Sequence, residues 1–214
     1  TRWKLVSWAR DVYKRQHVIC TASFENDVPQ WLKNRDSGWI TAEYGMLPAS
    51  TSSRNKREAA RGKQTGRTVE IQRLIGRSLR TVVDLKKIKG CQLILDCDVI
   101  QADGGTRTAA ISGAFVALSI AVKKLLKDKI LRENPIKDYL SAISCGIVNG
   151  EVYVDLDYTE DSKADVDANF IFSKNLGIAE VQVSGEGFTF SSEDLNNMLK
   201  MSDESVRQIF EIQQ

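Results

Sequence analysis

CQLILDCDVIQADGGTRTAAISGAFVALSIAVKKLLK, residues 91–127, is the stretch from which the rest of the chain can be read. Residues 91–101 are apolar, rich in β-branched side chains and too short for a helix, so they read as a strand. Asp103-Gly104-Gly105-Thr106-Arg107 follows as a glycine turn. From about Thr108, Ile111, Ala114, Phe115, Leu118, Ala121, Val122 and Leu125 recur at helical spacing. Lys123, Lys124 and Lys127 lie near the end of that helix, where cations suit the dipole. Glycines let the backbone turn tightly, and the free N–H groups at the helix start face an anion. Thr106 adds a hydroxyl, and Arg107 adds a planar guanidinium that suits phosphate. Alone the motif is weak, because a simple capped turn accounts for it more readily and it matches neither the Walker loop nor the dinucleotide fingerprint.

Upstream, HVICTASF (17–24) and GWITAEY (38–44) read as strands, and PASTSSRNKR (48–57) as an exposed loop. Ile71, Leu74, Ile75, Leu79, Val82 and Val83 mark a helix, with Arg73, Arg77 and Arg80 on its opposite face. Downstream, LSAISCGIV (140–148) and EVYVDLDY (151–158) flank Asn149-Gly150, a strong hairpin signal. NFIFS (169–173) and IAEVQVS (178–184) form a second hairpin around Asn175-Leu176-Gly177. The tail from about Ser191 reads as two helices, the first capped by Ser191 or Ser192 with Glu193 and Asp194 in its first turn. Hairpins combined with a βαβα element make the class α+β.

The composition excludes several chemistries. His17 is the single histidine, so a Ser/His/Asp triad is not expected and a multi-histidine metal site is ruled out. Cys20, Cys91, Cys97 and Cys145 form no CxxC pair and read as small buried hydrophobes in a reducing compartment. No apolar run approaches the ~20 residues of a membrane span, and TRWKLVSWARDVYKRQ is not a secretory signal. Chemistry is left to carboxylates, arginines, a carboxylate-bound metal or the substrate.

Net charge is only +2, but it is unevenly spread. Between residues 54 and 80, Arg54, Lys56, Arg57, Arg61, Lys63, Arg67, Arg73, Arg77 and Arg80 face only Glu58 and Glu70. Between 151 and 167, Glu151, Asp155, Asp157, Glu160, Asp161, Asp165 and Asp167 face only Lys163. Either segment could be a solvated face. Read functionally, arginines would hold phosphates and carboxylates a divalent metal between phosphate oxygens. Asp155 and Asp157 fall at alternate positions of the 151–158 strand and read as serving solubility or subunit contacts. Trp31 and Trp39 read as buried residues before base-stacking ones.

GWITAEYGMLP (38–48), REAARGKQTGRTVEIQRLIGRSLR (57–80), LDCDVIQADGGTRTAAISGA (95–114) and GIVNGEVYVDLDYTEDSKADVDAN (146–169) resemble the ribonuclease PH family nearly residue for residue. The resemblance runs from about His17 to the end. It implies a ribosomal protein S5 domain 2-like α+β fold of mixed sheets packed with helices, assembled as a hexameric ring of dimers. It implies a phosphorolytic 3′-to-5′ exoribonuclease that trims tRNA precursors and releases nucleoside diphosphates. By motif, Arg67, Gly105, Thr106 and Arg107 resemble the phosphate-binding residues, and Asp161 and Asp167 the catalytic, metal-associated carboxylates. The implied cofactor is Mg²⁺ or Mn²⁺, with inorganic phosphate as co-substrate. Arg54 and Arg57 lie in the loop that contacts tRNA in the family.

Two departures stand beside the match. Ala49 replaces a family arginine after Leu47-Pro48. Residues 1–16 do not resemble the family and read as foreign sequence, so residues 17–214 are expected to form the domain without its first strand hairpin. Trp3, Leu5, Val6, Trp8, Val12 and Tyr13 fit a helical step better than strict alternation. These departures leave a second reading, a non-catalytic or defective RNA-binding ring subunit.

Overall fold

The structure, a computed structural model, describes the backbone of residues 3–10 and all of residues 16–214. The first sheet holds β1 (Trp3–Arg10), β2 (His17–Glu25), β3 (Trp39–Met46) and β4 (Gln92–Gln101) in the order β1-β2-β4-β3. Helices α1 (Gly66–Thr81) and α2 (Thr106–Lys127) cover one face of it. The second sheet holds β5 (Leu140–Val148), β6 (Glu151–Val154), β7 (Val166–Ser173) and β8 (Gly177–Gly185) in the order β6-β5-β7-β8. Two helices, α3 (Tyr158–Asp161) and α4 (Ser192–Gln213), complete the set.

Strand alternation explains the layering. Val18, Cys20, Ala22 and Phe24 of β2, and Leu93, Leu95, Cys97 and Val99 of β4, point at the helices and are buried. The second sheet is apolar on both faces. Leu140, Ala142 and Ile171 join the core around α1 and α2, whereas Ile143, Cys145, Phe170 and Phe172 form another with Met198, Val206 and Phe210 of α4. The order is therefore sheet, two helices, sheet, helix. By length and apolarity α2 could cross a membrane. Here it lies between the sheets, with Ile111, Ala114, Leu118 and Ala121 buried. Ser112 Oγ joins it to β5, sharing a hydrogen bond with Ser141 Oγ and accepting the Ala142 N–H at 3.1 Å.

Three sequence expectations change. The first hairpin is not missing: Trp3–Arg10 runs antiparallel to β2, from Trp3 opposite Phe24 to Arg10 opposite His17. An apolar β2 without a neighbour would leave its N–H and C=O groups unpaired, and backbone pairing makes weak demands on the partner's side chains. The rest of that segment, residues 1–2 and 11–15, lies outside the described residues. The 151–158 strand stops at Val154, because Asp155 is left-handed at φ 64° and Asp157 caps α3. Those two carboxylates therefore do not share a strand face. The tail is one helix, not two, and the cap is Ser191, whose hydroxyl accepts from Asp194 N–H in a capping box.

Among the described residues the four cysteines are free thiols. Asn149 and Gly150 both have positive φ, as a two-residue hairpin turn requires. Trp39 is partly covered by Arg80, 4.4 Å above its ring, but Trp31 is 56% exposed, resting edge-on against Trp39.

Candidate active site

The site grows from the end of β4. Asp103 Oδ1 accepts the Gly104 N–H at 2.8 Å and the Tyr158 N–H at 2.7 Å, so one carboxylate shapes the glycine turn and docks the start of α3 on it. Gly104 has no room for a side chain: a Cβ there would lie 2.2 Å from the Leu156 carbonyl oxygen. Gly105 is left-handed at φ 76° and forms the N-terminal boundary of α2. The acidic segment is thereby packed onto the anion-binding turn.

Thr106 is buried, and its Oγ1 lies 2.9 Å from the buried Tyr44 hydroxyl. Burial pushes the Tyr44 phenol up, while the Thr106 hydrogen bond and the charges of Arg67 and Arg107 oppose it. Both arginines are thus close enough to act on the same phenol. Arg67 stands in the first turn of α1, whose N-cap is Thr65. Glu58 fixes that end, its Oε1 accepting from Thr65 Oγ1 at 2.8 Å and Thr68 Oγ1 at 2.7 Å. Burial disfavours the Glu58 charge, but these hydrogen bonds and nearby Arg61 outweigh it and lower its pKa.

Arg107 and Asp167 meet across a cleft of about 330 Å³, with Nη2 3.9 Å from Oδ2. Both side chains are mostly covered. Asn169 Nδ2 donates to Asp167 Oδ1 at 3.4 Å. Glu70 of α1, Asn169 of β7, and Gln182 and Ser184 of β8 line the cleft with Arg107 and Asp167. A larger groove of about 570 Å³, between the β7–β8 turn and α4, contains none of the expected site residues.

Of the residues singled out by sequence, Arg107 and Asp167 come together directly. Gly105 and Thr106 adjoin Arg107 in the turn. Arg67 approaches from α1. Asp161 closes α3, six residues before Asp167, and does not line the cleft. Arg54 and Arg57 are exposed on the loop after β3, without an ion-pair partner among the described residues. Sequence reasoning missed Tyr44, Glu58, Asp103, Asn169 and Gln182. Only Asp103, an Asp directly before a glycine turn, carried a local signal.

Models of the 3′ exoribonuclease family match twice, domain 1 over residues 14–124 and domain 2 over residues 138–205. The chain belongs to the 3′ exoribonuclease family. The division falls between α2 and β5, so the cleft between Arg107 and Asp167 lies at the seam of the two family domains. Curated proteins named ribonuclease PH, from Neisseria meningitidis serogroup C and serogroup A strains, are 54% identical over 92% of this chain and 81% of their own length. The fold is shared with a rice Rrp46 structure at 17% identity and a TM-score of 0.72, covering 99% of this chain and 92% of that one. It is shared too with an Archaeoglobus fulgidus exosome described as having RNA bound to the active site. There the identity is 18% and the TM-score 0.77, over 100% of this chain and 88% of that one.

Proposed function

We propose that this chain is a phosphate-dependent 3′-to-5′ exoribonuclease of the ribonuclease PH type, and that it trims the 3′ ends of tRNA precursors. The observation that carries the reading is the meeting of Arg107 and Asp167 at the glycine turn. One side of the cleft is built for an anion and the other for the cation that an RNA phosphodiester brings with it.

Phosphate would bind between Arg67 and the Gly105-Thr106-Arg107 turn, held by two guanidiniums, the Thr106 hydroxyl and the first N–H groups of α2. A phosphate oxygen attacks the phosphorus of the last internucleotide link. The bond to the O3′ of the penultimate nucleotide breaks, and that oxygen takes the proton the phosphate brought. The products are a nucleoside diphosphate and an RNA one residue shorter. Phosphate is already nucleophilic, so no histidine base is needed. The residues act by placing the two reactants in line and stabilising charge on the phosphoryl oxygens.

Asp161 and Asp167 would hold Mg²⁺ or Mn²⁺. Mg²⁺ prefers one or two carboxylates, with water and substrate oxygens completing its shell. Asp167, partly open to the cleft, fits that preference as a single carboxylate, whereas Asp161 at the end of α3 does not line the cleft. The bound ion would supply electrostatic stabilisation of the phosphoryl oxygens. Arg54 and Arg57, exposed on their loop, would suit the RNA backbone outside the cleft, and a hexameric ring of dimers would gather such loops from several copies. The test is incubation with a 3′-extended tRNA, with and without phosphate and Mg²⁺. Nucleoside diphosphates formed only with phosphate support the reading. Nucleoside monophosphates, or turnover without phosphate, overturn it.

A further inference from the structure

Arg77 and Glu180 form a two-point ion pair between α1 and β8. Arg77 Nε donates to Glu180 Oε2 at 3.1 Å, and Arg77 Nη2 donates to Glu180 Oε1. Such fork-to-fork geometry is more directional than an ordinary surface pair. Its placement sets it apart further. Arg77 stands seven residues, about two helical turns, beyond Glu70 on α1. Glu180 stands two residues before Gln182 on β8, on the same strand face. Glu70 on α1 and Gln182 on β8 both line the cleft, so the pair ties two of the elements that wall it. It also joins the first family domain to the second.

The tie falls at an irregularity of the β8 ladder. β8 is an edge strand with β7 as its only neighbour. The ladder is irregular at this point: Ile171 is opposite Glu180 but Phe172 is opposite Ile178, so Ala179 is skipped. A bulge leaves a residue unpaired and bends the strand. α1, by contrast, is fixed by Ile71, Leu74, Ile75 and Leu79, all essentially inaccessible. If the tie is cut, β8, held by its ladder to β7 and by the partly buried Ala179 and Val183, is the less constrained of the two elements. Beyond the bulge β8 carries Gln182 opposite Asn169 and Ser184 opposite Asp167.

We infer that Arg77 and Glu180 are positioning residues that hold the β8 side of the cleft, and through it the RNA 3′ end, in register with the bound phosphate. This rests on the phosphorolytic reading of the cleft. Both phosphate-holding arginines lie outside β8, so the pair governs the placement of RNA and not the grip on phosphate.

The test uses the full chain carrying Glu180→Gln, Arg77→Glu, Glu180→Arg, or the last two together. Glu180→Gln is expected to lower kcat about ten- to a hundredfold, the scale of a misplacement near 1 Å. KM for phosphate should stay within about twofold, and the melting temperature should be nearly unchanged because partly exposed pairs add little stability. The charge-reversed double variant should regain most of the kcat lost by each single reversal. Amide exchange of residues 178–184 should speed up in Glu180→Gln and slow again in the double variant, whether or not the chain turns over RNA. An inactive parent chain with this exchange pattern would sink the functional reading and keep the brace. Unchanged exchange, an unchanged kcat, or a rise in phosphate KM equal to the fall in kcat would overturn the brace itself.

Discussion

Replacing Gly105 by alanine tests the anion-binding turn more cleanly than deleting an arginine, because it removes no functional group. Gly105 has φ 76°, and an added Cβ would lie 3.0 Å from Ser144 Oγ and 3.1 Å from Thr108 Oγ1. The left-handed conformation costs an L-residue about 1–2 kcal/mol. Alanine returns ~0.4–1 kcal/mol by restricting the unfolded chain. The backbone part alone therefore comes to ~1 kcal/mol. The two hydroxyls must give by a few tenths of an ångström, and Thr108 Oγ1 already donates to the Gly105 carbonyl at 2.8 Å. Moving them raises the cost to ~2 kcal/mol and turns the first N–H groups of α2 away from the anion. Gly90 is the internal control, with φ 74° and nothing within 4 Å of its would-be Cβ. It precedes β4, whereas Gly105 follows it, so the two positions are roughly 30 Å apart. For a chain of this size each kcal/mol lowers the melting temperature by about 2–4 °C. Gly90→Ala should lose about that much with unchanged kinetics, and Gly105→Ala about twice as much. The second variant should also lose ~10²-fold in kcat/KM for phosphate, the scale of one preorganised donor set. Calorimetry and phosphorolysis at several phosphate concentrations read both effects. Equal kinetics in the two variants would refute the assignment of the turn as the phosphate site.

Arg67→Ala and Arg107→Ala should each remove most activity, ~10²–10³-fold, and raise KM for phosphate while RNA affinity by filter binding stays near the parent value. Normal phosphate dependence in either would contradict the proposed grip. Asp167→Asn should abolish turnover with the melting temperature nearly unchanged and a weakened Mg²⁺ requirement curve, and an unchanged rate would move the assignment to another carboxylate of the acidic segment. Asp138 provides a test of pH dependence. Burial disfavours its charge, but Ser173, Asn175 and the Asn175 backbone N–H donate to it and hold its pKa below the usual range. Its contribution should therefore be complete above the ordinary carboxylate value of about 4 and lost as pH falls through the lower folded value. Asp138→Ala should cost ~2–4 kcal/mol at neutral pH, with the difference from the parent shrinking in acid denaturation series. A difference independent of pH would mean the charge is not what stabilises the β7–β8 turn.

What was legible in the sequence was local. Asn149-Gly150 announced its hairpin because two adjacent positive φ values need those residue types. Residues 91–127 announced strand, turn and helix because the hydrophobic period changes at a glycine pair. The family resemblance put Arg107 and Asp167 in one site although sixty residues separate them. What the periodicities could not reveal depends on packing between distant segments. Asp155 looked like strand because Glu151–Val154 alternates, yet Gly104 presses against the following turn and α3 begins there. Tyr44 looked like any core aromatic, since its bond to Thr106 spans 62 residues. The first strand was misjudged for a related reason. Side-chain period decides which face of a strand is buried, but an unpaired neighbour can recruit backbone whose pattern is poor.

The placement of the cleft at a seam constrains how the enzyme can work. Arg67 and the glycine turn belong to the first domain, Asp161 and Asp167 to the second, and the proposed attack would need both sets held in register. A flexible joint would leave each half competent to bind and the whole unable to react. The fold avoids this in two ways. The buried core around α1 and α2 takes in Leu140, Ala142 and Ile171 of the second sheet, so the domains share one apolar cluster. The polar joints are short and specific: Ser112 to Ser141 and Ala142, Asp103 to Tyr158, Arg77 to Glu180. The first two lie behind the turn and fix Arg107 and α3 against each other. The third lies at the irregularity of the edge strand, beside Ile171 and Ala179 of that same cluster. Most of the joint is therefore held by apolar burial, which salt does not screen. The Arg77–Glu180 tie is a partly exposed ion pair, which salt screens. Placement of the RNA end should accordingly be the step of the cycle most sensitive to ionic strength, apart from the binding of RNA itself.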